Sequence, residues 1–205
     1  MNNKKKVAVF LSGRGSNFEA LYRYSRDHVD AAYTIERVFS DKCRAPGFLK
    51  AREWDIPTLH LSRRDFADAP SWEEAIVSRL KADGIELICL AGYMRLVGPV
   101  LLQAFPGAII NIHPSLLPAF PGLHAQRQAL DYGVRFTGCT VHLVDGGMDT
   151  GPILDQAVVP VCPGDDEARL AARILVEEHR LYPQVLQAMA LGLVSSRSVS
   201  SEAAE

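Results

Sequence analysis

The sequence predicts an α/β fold in which a mostly parallel, twisted sheet is covered by helices on both faces. Short, wholly apolar runs recur along the chain between charged or glycine residues, a pattern typical of strands that are buried on both faces. Segments with helical spacing of their apolar residues separate these runs. A length of 205 residues suits one such domain and leaves little room for a second.

Apolar runs and amphipathic segments alternate through the first half of the chain. The predicted strands cover residues 7–11, 34–40, 85–91 and 108–112. The predicted helices cover residues 17–26, 45–53 and 72–80. Strands that alternate with helices in this order favour a parallel sheet wrapped by helices.

The second half of the chain begins with a short helix that is expected to end at Tyr132-Gly133. Two β-like runs follow, at residues 140–144 and 153–161. A long helix then starts after Pro163-Gly164, with Asp165 or Asp166 as its expected N-cap, and Pro183 is expected to kink or break it. Residues 195–205 are Ser-rich and lack an apolar pattern, so we expect a disordered tail after a single domain of residues 1–194.

Composition excludes several classes of protein. Hydrophobic residues make up 48% and charged residues 22% of the chain, as in ordinary globular proteins. A formal net charge of -2 gives no overall basic field, so a nucleic-acid partner is not expected. The cysteines lack the spacing of a zinc site or a disulfide scaffold, and no apolar run approaches the ~20 residues of a membrane span. We therefore expect a cytoplasmic protein without a membrane partner.

A glycine-rich turn, Ser12-Gly13-Arg14-Gly15-Ser16-Asn17, follows the first predicted strand. Such a turn into a helix exposes backbone N–H groups, which together with the helix dipole suit a phosphate. The dinucleotide fingerprint needs a third glycine where this chain has Phe18, and no Gly-Lys-Ser/Thr follows as in an ATP-binding loop. Phosphate binding without a dinucleotide is therefore favoured over a tight turn that binds nothing.

Asn111 and His113 stand at the end of the fourth predicted strand, before Pro114. Side chains alternate along a strand, so this amide and this imidazole share one face. Ligands of parallel α/β sheets bind at the carboxyl ends of strands. The pair therefore favours a functional site over a structural histidine.

Two further segments, one glycine-rich and one at a strand end, are candidates for ligand binding. The segment Asp145-Gly146-Gly147-Met148-Asp149 allows a close approach to a ligand, and Asp149 could pair with His113 and orient it. A hairpin loop with solvated acidic residues is an equally good interpretation. The segment Met94-Arg95-Leu96-Val97 follows the third predicted strand, where main-chain groups could bond a flat heterocycle, although a plain loop with a surface arginine fits as well.

Two more features concern charged or metal-binding side chains. Glu177 and Glu178 fall beside an apolar stripe on the last helix, where a carboxylate needs a partner, although a solvated pair is the simpler interpretation. His113, His124 and His142 lack metal-ligand spacing, so no metal is expected.

Four blocks of the sequence together resemble the glycinamide ribonucleotide formyltransferases, a folate-dependent family of purine synthesis. The blocks are Ser12-Gly13-Arg14-Gly15-Ser16-Asn17, Leu90-Ala91-Gly92-Tyr93-Met94-Arg95, the stretch from Asn111 through Pro118 to His124, and Met148-Asp149-Thr150-Gly151-Pro152. Their order and spacing fit from Val7 to about Leu191. The resemblance implies a Rossmann-like formyltransferase fold.

The resemblance also implies roles for individual residues. Asn111, His113 and Asp149 match the catalytic residues of the family. The ribonucleotide-binding residues, for its phosphate and ribose, would be Gly15, Ser16, Asn17 and Glu178. The folate-binding residues would be Met94, Arg95, Leu96, Val97, Asn111, Asp145, Gly146, Gly147, Met148 and Asp149. One departure is Trp72, which stands where the family often has an arginine that reaches the folate tail; Arg63 or Arg64 could compensate.

The activity implied is transfer of a formyl group from 10-formyltetrahydrofolate, a co-substrate, to the amine of glycinamide ribonucleotide. No metal or covalent intermediate is needed, the partners are these small molecules, and a monomer or a homodimer fits. The alternatives are a formyltetrahydrofolate hydrolase of the same superfamily, a nicotinamide-dependent oxidoreductase and a non-catalytic nucleotide-binding module. The phosphate-type turn disfavours the hydrolase, and Phe18 disfavours the oxidoreductase.

Overall fold

A single twisted sheet forms the centre of the computed structural model, which describes residues 4–194. Its strand order is β3-β2-β1-β4-β5-β6-β7. The strands are β1 (Lys5–Phe10), β2 (Tyr33–Ser40), β3 (Thr58–His60), β4 (Leu87–Leu90), β5 (Ile109–His113), β6 (Phe136–Leu143) and β7 (Ile153–Pro160). The helices are α1 (Ser16–Asp27), α2 (Gly47–Glu53), α3 (Ala69–Ala82), α4 (Pro99–Ala104), α5 (Ala125–Tyr132) and α6 (Glu167–Ala190).

The sheet is parallel from β3 to β5 and antiparallel beyond, because β6 pairs antiparallel with both β5 and β7. The chain places β2 and β3 on one side of β1 and then returns to place β4 on the other side. This reversal is the topological switch point at which α/β sheets bind ligands, outside the carboxyl ends of the strands.

Two hydrophobic clusters lie on opposite faces of the sheet. Alternation along β1 sends Val7 and Val9 into one cluster and Ala8 and Phe10 into the other. Helices α1, α2 and α6 contribute buried residues to the first cluster, and α3 and α4 contribute to the second. The predicted fold class, a mostly parallel sheet with helices on both faces, is therefore confirmed.

Helix α6 corrects one prediction, since it runs unbroken from Glu167 to Ala190 through Pro183. Proline removes one helical hydrogen bond, but Pro183 lies in a buried stretch of α6. The adjacent Tyr182 is fully buried, and its hydroxyl group lies 3.0 Å from the carbonyl oxygens of both Leu90 and Ile110. These contacts fix α6 against β4 and β5 and offset the lost bond.

The other boundaries agree with the prediction to within a few residues. Asp166 caps α6 by accepting a hydrogen bond from the N–H of Arg169, whereas Asp165 pairs with Arg173. Strand β3 and helix α4 were not predicted. The predicted tail, residues 195–205, lies outside the described residues. Between residues 4 and 194, no helix is both long and apolar enough to cross a membrane.

Candidate active site

A cavity of about 560 Å³ opens at the carboxyl ends of β4 and β5. Twelve of the residues predicted for the site line it: Asn17, Met94, Arg95, Leu96, Val97, Asn111, His113, Asp145, Gly147, Met148, Asp149 and Glu178. The cavity wall does not include Gly15, Ser16 or Gly146. The segment from Gly122 to Gln126 and the side chain of His142 also line the cavity. Neither was assigned to the site from the sequence.

His113, the last residue of β5, is held by two groups. Its Nε2 lies 2.9 Å from the carbonyl oxygen of Phe120. A carbonyl oxygen can only accept, so Nε2 carries a proton. Nδ1 faces Oδ2 of Asp149 at 3.3 Å. A second proton, on Nδ1, would therefore place an imidazolium ion between a carbonyl oxygen and a carboxylate.

Asp149 is held in a left-handed backbone conformation, with φ at 56°. The N–H of Gly122 donates a 2.8 Å hydrogen bond to its Oδ2. Burial opposes ionisation of this carboxyl group, but the contacts from His142, the Gly122 N–H and His113 outweigh it, so the pKa of Asp149 lies below its ordinary value. The carboxylate is therefore the form that the site stabilises.

Backbone strain gathers around this cluster. Phe120 and His124, like Asp149, have positive φ angles, of 55° and 60°. Such conformations cost about 1–3 kcal/mol each in residues other than glycine, and they concentrate at functional sites. The carbonyl oxygen of Phe120, in this strained conformation, lies 2.9 Å from Nε2 of His113.

Asn111 and His142 are cross-strand neighbours on β5 and β6. Nδ2 of Asn111 lies 3.2 Å from Nε2 of His142 and 3.4 Å from Oδ1 of Asp149. Nδ1 of His142 lies 2.8 Å from the carbonyl oxygen of Leu143. The sequence signal for His142 was its place in a β-like run, but its partner depends on the register of an antiparallel pair.

The glycine-rich turn leads into α1 through Gly15, which has a left-handed conformation with φ at 74°. Among the described residues, the N–H groups of Ser16, Asn17 and Phe18 have no hydrogen-bond partner, as expected in a first helical turn. These donors point out of the N-terminus of α1, next to the cavity wall at Asn17. They give the turn the character of an anion site.

Asn17 and Glu178 form a buried polar pair on the cavity wall. Nδ2 of Asn17 donates a 2.7 Å hydrogen bond to Oε2 of Glu178. Burial raises the pKa of Glu178, and the Asn17 bond only partly offsets this effect. Oδ1 of Asn17 is buried without a partner among the described residues. Both side chains therefore have hydrogen-bonding capacity left for a ligand.

The loop from Met94 to Val97 is held at both of its ends. The Met94 N–H donates to Oγ of Ser12 at 3.1 Å, and the Gly98 N–H donates to buried Glu73 at 2.6 Å. Between these anchors, the N–H groups of Arg95, Leu96 and Val97 have no partner among residues 4–194. This free amide edge can receive a planar, polar ring.

Trp72 is buried in α3, and its Nε1 donates to the carbonyl oxygen of Leu61 at 2.9 Å. Neither Arg63 nor Arg64 is part of the cavity wall. Arg95 is on that wall, bonded to Asp41 and lying 5.8 Å from the Trp72 ring centre. Within the described residues, Arg95 is therefore the arginine or lysine side chain that lines this cavity.

Comparisons with known proteins agree with this geometry. Residues 5–186 match the family model for formyl transferases. Phosphoribosylglycinamide formyltransferase from Bacillus subtilis (strain 168) is 45% identical over 190 residues, which are 92% of this chain and 96% of that protein. The solved structure of glycinamide ribonucleotide transformylase 1 from Symbiobacterium toebii is 45% identical, with a TM-score of 0.90 over 94% of this chain and 90% of that one.

A longer protein also matches. The trifunctional purine biosynthetic protein adenosine-3 from Drosophila pseudoobscura pseudoobscura is 45% identical over 190 residues, and these cover 92% of this chain. The match spans only 14% of that relative's length. The chain is thus similar both to a protein of its own size and to one segment of a multifunctional protein.

Proposed function

The chain belongs to the formyl transferase family, and on that premise we propose that it transfers the formyl group of 10-formyltetrahydrofolate to the amine of glycinamide ribonucleotide, in purine synthesis. One observation carries the proposal. A single cavity joins the cluster of Asn111, His113 and Asp149 to the polar pair of Asn17 and Glu178 beside an anion-binding turn. A reaction between a folate and a phosphorylated amine needs both of these groups of residues in one cavity.

The ribonucleotide fits the half of the cavity next to α1. Its phosphate would accept hydrogen bonds from the free N–H groups of the first turn, where the helix dipole favours an anion. Glu178 and Asn17, which have bonding capacity left, would bind the ribose hydroxyl groups. This placement directs the glycinamide amine toward His113 and Asp149.

The folate fits the other half. Its heterocycle would bond the free amide edge of Arg95, Leu96 and Val97. Around the cavity mouth, Met94, Leu96, Leu123 and Met148 are more than half exposed. A benzoyl group would cover such apolar side chains, and Arg95 is the cation available to the carboxylates of the folate tail.

The chemical step begins when the amine attacks the formyl carbon, giving a tetrahedral intermediate with negative charge on the former carbonyl oxygen. We assign the stabilisation of this charge to Nδ2 of Asn111 and to a proton on Nδ1 of His113. Loss of one such donor typically costs roughly 10²–10³ in kcat. Both atoms belong to side chains of the cavity wall.

Completion of the transfer moves one proton. The attacking nitrogen becomes acidic and must lose a proton, and the folate nitrogen must gain one before the carbon–nitrogen bond to it breaks. The Asp149 carboxylate, which lies 3.3 Å from Nδ1 of His113, would be the counter-ion of the protonated ring during this exchange, with a water as the relay. No covalent bond to the enzyme is needed.

The test follows loss of the formyl donor by absorbance with purified protein, 10-formyltetrahydrofolate and glycinamide ribonucleotide. We expect donor loss only when the ribonucleotide is present, and a loss of about 10²-fold or more in kcat for Asn111→Ala with its fold intact. Donor loss at the same rate without the ribonucleotide would point to the hydrolase instead. Absence of donor loss under both conditions would contradict an enzyme of either kind.

A further inference from the structure

We propose that His142 is a positioning residue for this reaction: it accepts one N–H of the Asn111 side-chain amide and thereby aims the other N–H at the formyl oxygen. The inference rests on the proposed function, since it concerns the same chemical step. It starts from a contact that the resemblance to the family did not supply, the 3.2 Å approach of Nε2 of His142 to Nδ2 of Asn111.

The tautomer of His142 is fixed by its other nitrogen. Nδ1 lies 2.8 Å from the carbonyl oxygen of Leu143, which can only accept a hydrogen bond. Nδ1 therefore carries the proton in the neutral ring. Nε2 of the neutral ring is then left with a lone pair. This nitrogen lies 3.6 Å from Oδ1 of Asp149, too far for a hydrogen bond, and 3.2 Å from Nδ2 of Asn111, so the neutral His142 is an acceptor toward Asn111.

The acceptor at Nε2 determines which end of the Asn111 amide faces it. With the amide reversed, its Oδ1 would meet the lone pair of His142 on one side and Oδ1 of Asp149 on the other. Three acceptors would then face one another without a proton between them, an arrangement that costs about 1–3 kcal/mol for each unsatisfied buried group. His142 and Asp149 together therefore hold the NH2 end in place.

The two N–H bonds of that amide are held unequally. The contact with His142 is 3.2 Å, whereas the contact with Oδ1 of Asp149 is 3.4 Å, near the upper limit for a hydrogen bond. A formyl oxygen in the cavity would compete readily for the second N–H. The bond to His142 would then keep the amide in its orientation while its partner changes.

Side-chain burial supports a polar role for His142 rather than simple packing. Only 3% of the side chain is exposed, and both ring nitrogens have a partner within hydrogen-bond distance. An apolar residue would fill this place on β6 without the cost of burying two nitrogens. The orientation of the ring instead matches what the cross-strand Asn111 needs.

A pair of substitutions separates the two nitrogens. His142→Gln places an amide oxygen near the position of Nε2, and His142→Asn places its polar atoms near Nδ1 only. We expect His142→Asn to lower kcat by about 10- to 100-fold, less than removal of the donor itself, with KM for either substrate changed less than about threefold. His142→Gln should retain most of the activity, and thermal unfolding of each variant checks the fold.

The decisive readout is a double-mutant cycle in kcat with Asn111→Ala. A residue that acts through Asn111 has nothing to position once that side chain is gone, so His142→Asn should add less than about twofold to the loss in Asn111→Ala. Additive losses, or wild-type kcat in His142→Asn, would overturn the inference. If the wild-type protein itself forms no formylated ribonucleotide, the proposed function fails first, which distinguishes the two failures.

Discussion

His113 and Asp149, from β5 and from the loop after β6, meet with Nδ1 and Oδ2 only 3.3 Å apart. Both side chains have a second partner: Nε2 of His113 bonds the carbonyl oxygen of Phe120, and the N–H of Gly122 donates to Oδ2 of Asp149. The pair is therefore oriented before any substrate binds, which is what electrostatic stabilisation of a transition state requires.

Asp149→Asn keeps the size of the side chain and removes its charge. Without the carboxylate, protonated His113 loses its counter-ion, so we expect kcat to fall by about 10²-fold or more while KM for both substrates changes little. Steady-state kinetics at saturating substrates measure this effect. Asp131→Asn, an exposed partner of Arg127, is the matched control and should leave kcat unchanged. A wild-type kcat in Asp149→Asn would contradict the role.

Glu178→Gln should stabilise the protein at neutral pH. Burial raises the pKa of Glu178 above its unfolded value. When folding raises the pKa of a carboxyl group, the group contributes its full stability only below its unfolded pKa, about 4.3 for glutamate. This stability is lost as the pH rises through the folded pKa. At pH 7.5, well above the unfolded pKa, the buried carboxyl group of Glu178 therefore lowers the stability of the fold. We expect the Tm of Glu178→Gln to exceed that of the wild type at this pH by about 2 °C or more.

The pH dependence provides the check on Glu178. The difference in Tm between Glu178→Gln and the wild type should shrink as the pH falls toward 4, because both side chains are then neutral. Glu177→Gln, whose parent carboxylate is partly exposed and paired with Arg180, should show no such rise. The gain in stability should be accompanied by a higher KM for the ribonucleotide. A difference in Tm that is independent of pH would argue against the buried charge as its cause.

Gly15→Ala tests the anion-binding turn. The φ angle of 74° is unfavourable for alanine, and the new Cβ would lie 3.2 Å from Leu11 Cδ2 and 3.3 Å from the Cα of Gly47. The strain is worth about 1–2 kcal/mol and would displace the free N–H groups of α1. We expect a KM for the ribonucleotide raised about tenfold. Gly13→Ala has open space and no positive φ, so equal effects in both variants would contradict this account.

Glu73→Ala tests how the loop from Met94 to Val97 is held. Besides the Gly98 N–H, this buried carboxylate accepts hydrogen bonds from the N–H groups of Val100 and Leu101. Its loss leaves the buried N–H of Leu101 and the part-buried N–H groups of Gly98 and Val100 without a partner, at up to about 1–3 kcal/mol each. Urea unfolding should show a loss of at least about 2 kcal/mol, with a higher KM for the folate. The control is Glu74→Ala, because Glu74 is the exposed neighbour of Glu73. This variant should match the wild type in urea unfolding and in KM for the folate.

Local patterns were sufficient to predict the fold class and part of the site. Alternation along a strand places Asn111 and His113 on one face, and the glycines around Arg14 mark a turn into a helix. These inferences need only neighbours in sequence. The same limitation explains the error at Pro183, because the buried contacts of Tyr182 that offset the lost hydrogen bond come from β4 and β5.

Contacts between distant segments could not be read from the sequence. His142 meets Asn111 only through the antiparallel register of β5 and β6, and a shift by one residue would turn it to the other face. Glu73 gave no signal either, since its partners follow it by 25 or more positions. Arg95, which the resemblance had already placed in the folate site, lies on the cavity wall, whereas Arg63 and Arg64 do not.

The most direct test of the central claim follows the formyl carbon itself. The protein is mixed with glycinamide ribonucleotide and 10-formyltetrahydrofolate labelled with ¹³C in the formyl group, and ¹³C NMR identifies the labelled product. The account predicts that the label appears in the N-formyl group of the ribonucleotide and that Asp149→Asn slows its appearance by about 10²-fold. Label that appears in free formate, at a rate independent of the ribonucleotide, would contradict it.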